Sequence, residues 1–249
     1  MCGRYELHSN PAAIALIFGL ADPPDVAARY NIAPTTDVPI VRVGGEGKRE
    51  LVWMRWGLVP RWAKDPSIGA RMINARGETI AEKPSFRTAY RRHRCLLPAD
   101  GFYEWMAIPR DAADAGPARR APQHIGMADG SLFGFAGLYE RWRSEDDDVL
   151  DSCTIVTIDA NSLLLPVHDR MPVIVPPEHY ARWLDPANGE VADLIAPYQS
   201  SAMAYHPVSA RVNNVRNDDA SLIEAVAKAT RETVEDDPPA QPPEQESLF

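Results

Sequence analysis

Residues 94–106, Arg94-Cys95-Leu96-Leu97-Pro98-Ala99-Asp100-Gly101-Phe102-Tyr103-Glu104-Trp105-Met106, decide the fold. Two apolar, aromatic-rich runs, Cys95 to Leu97 and Gly101 to Met106, read as neighbouring strands. Outward from them, His124 to Met127, Leu132 to Trp142 and Cys153 to Ile158 continue the series, and Met203 to Val208 is the last strand. Upstream, Val38 to Val43 and Glu50 to Arg55 flank Gly44-Gly45-Glu46-Gly47 and read as a β-hairpin. The helices expected between strands are short: Ala12 to Leu20, Gly77 to Glu82, Phe86 to Arg92 after Pro84, Pro177 to Leu184, Val191 to Ile195 and Asp219 to Ala227. Strands joined by turns, without regular intervening helices, predict an α+β fold: a single domain with a curved, mostly antiparallel, barrel-like β-sheet core and short surrounding helices.

The chain has 249 residues, 45% of them hydrophobic, enough for a sizeable core and without an apolar span long enough to cross a membrane. The apolar stretch after Arg4 and Glu6 opens with Asn10-Pro11, in the manner of a helix cap, and holds Gly19 near its end, so it reads as an amphipathic helix rather than a signal peptide. Cys2, Cys95 and Cys153 show neither CxxC nor Cys/His spacing, which points away from disulfides and metal and towards a reducing cytoplasm. Cys95 and Cys153 sit in strand-like runs as small core residues. Residues 1–230 are taken as the folded domain; Pro109 to Pro122 is an insertion, and 231–249 an acidic, Pro-rich disordered tail.

Cys2 follows the initiator Met1 and precedes Gly3-Arg4. Removal of Met1 would leave a 1,2-aminothiol. Its amine condenses with an aldehyde to an imine, and the sulfur then closes a five-membered thiazolidine on the same carbon, an intramolecular step. Reference pKa values of about 7.7 to 8.0 for the amine and about 8.5 for the thiol suit this chemistry near neutral pH.

The formal charge of −9 is unevenly placed. Residues 51–94 hold ten Lys/Arg against three acids, whereas Glu145 to Asp148 and the tail carry acidic clusters. A basic face interleaved with Trp53, Trp56 and Trp62 has the composition of a single-strand binder, in which cations neutralise phosphates and aromatics stack on bases. Trp53 and Trp56 are equally suited to the core and are assigned there. Three further clusters carry polar groups of chemical interest: Asn74-Ala75-Arg76-Gly77-Glu78-Thr79, Gly101-Phe102-Tyr103-Glu104-Trp105, and His168-Asp169-Arg170-Met171-Pro172.

Together with Met1-Cys2-Gly3-Arg4-Tyr5, Arg29-Tyr30-Asn31-Ile32-Ala33-Pro34-Thr35 and Arg55-Trp56-Gly57-Leu58-Val59-Pro60-Arg61-Trp62-Ala63-Lys64, these clusters resemble the SRAP (SOS response-associated peptidase) family, from residue 1 to about 215. Thr36 departs from the glutamine common in that family. Members protect abasic sites in single-stranded DNA. The resemblance implies that Cys2 forms the covalent thiazolidine link. It implies that Glu104 transfers protons with the α-amine and sugar ring oxygen, that His168 shuttles protons during ring opening, and that Asn74 holds the opened sugar. It further implies DNA contacts by Arg4, Arg76, Trp62, Arg170 and Asn31, no cofactor or metal, a monomer at the nucleoid, and proteolysis confined to self-processing that exposes Cys2.

Two other readings of the residues remain. Class II glutamine amidotransferases also use a processed N-terminal cysteine as nucleophile, and a non-covalent single-strand binder would use the basic face with Cys2 incidental. The last residues, Gln245-Glu246-Ser247-Leu248-Phe249, resemble the bacterial sliding-clamp binding peptide, with Gln245, Leu248 and Phe249 as its anchors.

Overall fold

The structure is a computed structural model and describes residues 2–108 and 119–227. The expected tail and most of the Pro109–Pro122 insertion lie outside the described residues. The strands are β1 (Tyr5–Leu7), β2 (Arg29–Ile32), β3 (Asp37–Val43), β4 (Arg49–Trp56), β5 (Asn74–Arg76), β6 (Arg94–Ala99), β7 (Gly101–Ala107), β8 (Arg120–Met127), β9 (Phe133–Arg143), β10 (Val149–Asp159), β11 (Arg170–Pro172), β12 (Ile174–Val175) and β13 (Met203–Pro207). Three short α-helices join them among the described residues: α1 (Pro11–Phe18), α2 (Arg87–Arg92) and α3 (Tyr180–Leu184).

Five strands close a ring: β10 pairs with β4, β4 with β3, β3 with β6, β6 with β9, and β9 returns to β10. Only the β10–β4 pairing in this ring is parallel. The fold is therefore α+β with a mostly antiparallel barrel, as expected. A second sheet, antiparallel throughout, runs β13-β8-β7-β1-β2. Its inner face packs on the barrel through Tyr5, edge-on to Trp56 at 5.4 Å and to Phe135 at 5.8 Å, and through Phe102 against Phe135. These aromatics are fully buried, and each removes a large apolar area from water.

The outer face of the second sheet is polar. His124 Nε2 lies 2.7 Å from Glu6 Oε1 across Gly101, where a Cβ would come within 2.3 Å of the imidazole. Residues 208–226 strap over this face, burying Tyr103 with Val208, Val212 and Leu222. Asn31 pins the strap by donating to the carbonyls of Val212, Asn214 and Asn217, and Arg4 donates to Asn31 Oδ1 and the Val212 carbonyl.

Several sequence expectations change. Gly77 to Glu82 forms turns instead of a helix, with Thr79 N–H bonded to the Arg76 carbonyl and Glu82 N–H to the Thr79 carbonyl. Gly77 itself is tied to the Thr157 carbonyl of β10. Asp219 to Ala227 yields only a single 3₁₀ turn, Ala220–Ile223, because the Ile223 carbonyl turns to His206 and Val226 N–H to the Pro207 carbonyl. Val191 to Ile195 is likewise a 3₁₀ turn, and Pro177 to Leu184 a 3₁₀ turn leading into α3. Helix α1 matches its reading: Asn10 Oδ1 caps the Ala13 N–H, and Gly19 ends it in the left-handed region. Trp56 is in the core, but Trp53 is 46% exposed on the outside of the barrel.

Candidate active site

The first strand sets the site. Tyr5 opposes Phe102 and Glu6 opposes Gly101, and Tyr103 N–H bonds the Arg4 carbonyl, so the residues before β1 run back along β7 towards Glu104. Cys2 is fully buried there. Burial pushes its thiol well above the usual range; the nearby Glu104 raises it further, and the Arg4 backbone N–H opposes the rise. Such a thiol is protonated and unreactive while it stays enclosed.

Glu104 opposes Gln123 on β8 and stands on the face of β7 that also carries Phe102. Its carboxyl is buried, and that burial pushes it up to about 7, against the pull of the positive amino terminus and Arg120. A carboxyl poised there carries a proton about half the time at neutral pH, which is what general acid–base chemistry requires.

Asn74 opens β5, a short strand parallel to β10 in which Asn74 opposes Ile155. Its place is fixed one residue earlier, where the Ile73 carbonyl accepts both the Trp56 indole N–H at 2.8 Å and the Ile155 N–H at 3.1 Å. From there Asn74 Nδ2 donates to the Cys2 carbonyl at 2.9 Å. Asn74 Oδ1 is buried and has no hydrogen-bond partner among the described residues.

His168 leaves the Asn161–Val167 turn just before β11, its N–H bonded to the Leu164 carbonyl. Burial, then the positive amino terminus, lower its ring to about 4, so it is neutral at pH 7. Nδ1 accepts the Arg170 N–H at 3.0 Å, which assigns the ring proton to Nε2. The same Nδ1 lies 2.8 Å from the exposed Asp169 carboxylate, which would receive a proton placed there.

Cys2, Asn74 and Glu104 thus come together, since Asn74 touches Cys2 and Glu104 acts electrostatically on Cys2, and Glu104 and His168 both feel the charge of Arg120. Arg120 was missed from sequence because it lies inside the Pro109–Pro122 insertion, where no motif marks it. Among the expected DNA contacts, Arg76 is exposed and Trp62 is 58% exposed. Arg4 and Asn31 are engaged in the strap. The Arg170 guanidinium binds Glu78 with both nitrogens, together with Asp159 and the Thr157 carbonyl. Among the described residues, no group of three or more His, Cys, Asp or Glu is placed to hold a metal.

Residues 1–215 match the family model described as SOS response associated peptidase (SRAP). Over 231 residues the chain is 39% identical to "Abasic site processing protein YoqW" of Bacillus subtilis, covering 90% of this chain and all of that one. It is 31% identical to "Abasic site processing protein HMCES" of Xenopus tropicalis, covering 79% of this chain and 66% of that protein. A crystal structure of a Bacteroides thetaiotaomicron protein superposes with a TM-score of 0.77 at 24% identity over 91% of this chain, a likeness of fold. Motif, fold and match agree: the chain belongs to the SRAP family.

Proposed function

We propose that this protein processes abasic sites in single-stranded DNA by forming a covalent thiazolidine link through Cys2 after Met1 is removed. The observation that carries this reading is the meeting of Asn74 with Cys2 beside a buried Glu104 poised at about 7. With Met1 attached, the Cys2 nitrogen is an amide and cannot condense; its removal, by self-processing or an aminopeptidase, frees the amine.

Glu104 protonates the ring oxygen of the closed sugar while His168 takes the proton of the C1′ hydroxyl, which releases the C1′ aldehyde; the resulting Glu104 carboxylate then takes a proton from the α-ammonium and leaves a neutral amine. The amine adds to C1′, and loss of water gives the imine. Sγ then adds to the imine carbon while its proton passes to nitrogen, closing the ring with no net oxidation or reduction. Neutral His168 relays protons during opening and condensation, and Asn74 orients the opened sugar against Cys2. Exposed Arg76 takes a flanking phosphate and Trp62 a base face, while Arg4, Asn31 and Arg170 hold the surface that presents them.

The test is a denaturing gel of the Met1-processed chain with single-stranded DNA bearing one abasic site, beside Cys2→Ala. A surviving adduct in the first alone supports the reading. No adduct with wild type, or glutamine hydrolysis in its place, overturns it.

We further propose that Gln245, Leu248 and Phe249 tether the domain to a bacterial sliding clamp, which would raise its local concentration at replicating DNA. Unchanged clamp affinity after deletion of Leu248 and Phe249 removes that proposal.

A further inference from the structure

The turn that carries Trp62 is bolted to the barrel. Gly57 N–H bonds the Cys153 carbonyl at 2.8 Å, Val59 N–H bonds Ser152 Oγ at 2.8 Å, and the Trp142 indole donates to the Ala63 carbonyl at 2.6 Å. Val59, Ala63 and Trp142 bury an apolar patch beneath it. Ala63 N–H closes the turn on the Pro60 carbonyl at 2.9 Å, which leaves Arg61 and Trp62 at its tip, 67% and 58% exposed. A fixed backbone that presents a cation beside an indole is a single-strand grip.

Beneath that tip lies a buried carboxylate without a role in the chemistry above. The Glu140 side chain is 4% exposed. Its Oε1 is 3.1 Å from His93 Nδ1, and His93 lies against Tyr139 at 5.1 Å. Its Oε2 has no hydrogen-bond partner among the described residues and lies 3.8 Å from Arg61 Nε. A buried charge with an open acceptor is costly, and drawing a cation over it offsets that cost. At this separation Arg61 turns one edge of its guanidinium inward, and the remaining donors are left for an outside anion.

We propose that Arg61 binds a phosphate of single-stranded DNA, and that Glu140, steadied by His93, is the positioning residue that aims it. This rests on the DNA reading above. The placement fits a strand whose damaged sugar sits at Cys2: Val59 docks on Ser152, and Asn74 pairs three residues further along β10 at Ile155, about 10 Å away in an extended strand.

The experiment measures binding of the full-length protein to an undamaged single-stranded oligonucleotide between 50 and 200 mM salt, so it does not depend on adduct formation. Arg61→Gln, a surface change, should weaken binding about threefold or more and reduce the salt slope by about 0.7. Glu140→Gln should weaken binding less while keeping the slope, and the double variant should bind no worse than Arg61→Gln. A wild-type affinity and slope in Arg61→Gln overturns the proposal. So do losses that multiply in the double variant, since Glu140 would then act on the fold alone. If Glu140→Gln fails to fold, the Arg61→Gln slope still decides. Absence of wild-type binding removes the DNA reading itself.

Discussion

Asn74 Nδ2 donates to the carbonyl of Cys2, 72 residues away in sequence, and leaves its own Oδ1 buried without a partner among the described residues. The bond holds the Cys2 backbone, and the open acceptor is suited to a sugar hydroxyl. Asn74→Ala should slow adduct formation on the order of 10- to 100-fold, through lost orientation, while lowering stability by only about 1 kcal/mol. Single-turnover rates beside urea unfolding separate the two effects, and an unchanged rate would exclude the positioning role.

Glu104, pushed up by burial, should impose on the rate of adduct formation a titration above the usual carboxylate range. In Glu104→Gln the rate should fall about 100-fold or more and lose that limb of its pH profile. A profile unchanged in shape would assign the proton transfer elsewhere.

Glu104 and His168 oppose each other in stability. Between pH 4.5 and 7 the unfolded chain has released the Glu104 proton and the folded chain keeps it, so this contribution is full below 4.5 and is lost as pH rises through 7. Between pH 4 and 6.5 the unfolded chain protonates His168 and the folded chain does not, so that contribution is present above 6.5 and is lost as pH falls through 4. From pH 4.5 to 6.5 the slopes cancel in part. The urea midpoint of Glu104→Gln should therefore climb more steeply with pH than that of wild type, and the midpoint of His168→Ala should decline.

Asn31 should behave as a structural clasp. Asn31→Ala loses the two amide N–H donors shared among three strap carbonyls and the bond accepted from Arg4, and should destabilise the protein by about 3 kcal/mol. A variant with native stability and weakened DNA binding would make Asn31 a direct contact instead.

Gly57 adopts φ +135°, and a Cβ there would lie 2.6 Å from the Gly69 carbonyl oxygen. Gly57→Ala should cost about 2 kcal/mol or more and loosen the turn bearing Trp62. Thermal melts together with tryptophan emission check both effects.

The barrel strands were legible because runs such as Leu96-Leu97 and Phe133 to Leu138 are apolar, aromatic or β-branched and bounded by turns. Strands β1, β2, β5, β11 and β12 were not, because each has four residues or fewer, and all but β11 are held by pairings distant in sequence, as Asn74 is to Ile155. Of the candidate site, Cys2 announced itself by chemistry; Asn74, Glu104 and His168 needed the family pattern, since only tertiary structure brings them together. Trp53 misled because an alternating strand can carry an indole on its outer face. The Arg4–Asn31 engagement was invisible because its acceptors are main-chain carbonyls, which every sequence possesses.

The Arg4 bond to the Val212 carbonyl spans 208 residues. On the ribosome, the amino end of the chain emerges long before its anchor exists. The tie that fixes Arg4 is therefore completed late in synthesis, and a prematurely terminated product ending before residue 212 would carry Arg4 without that carbonyl partner.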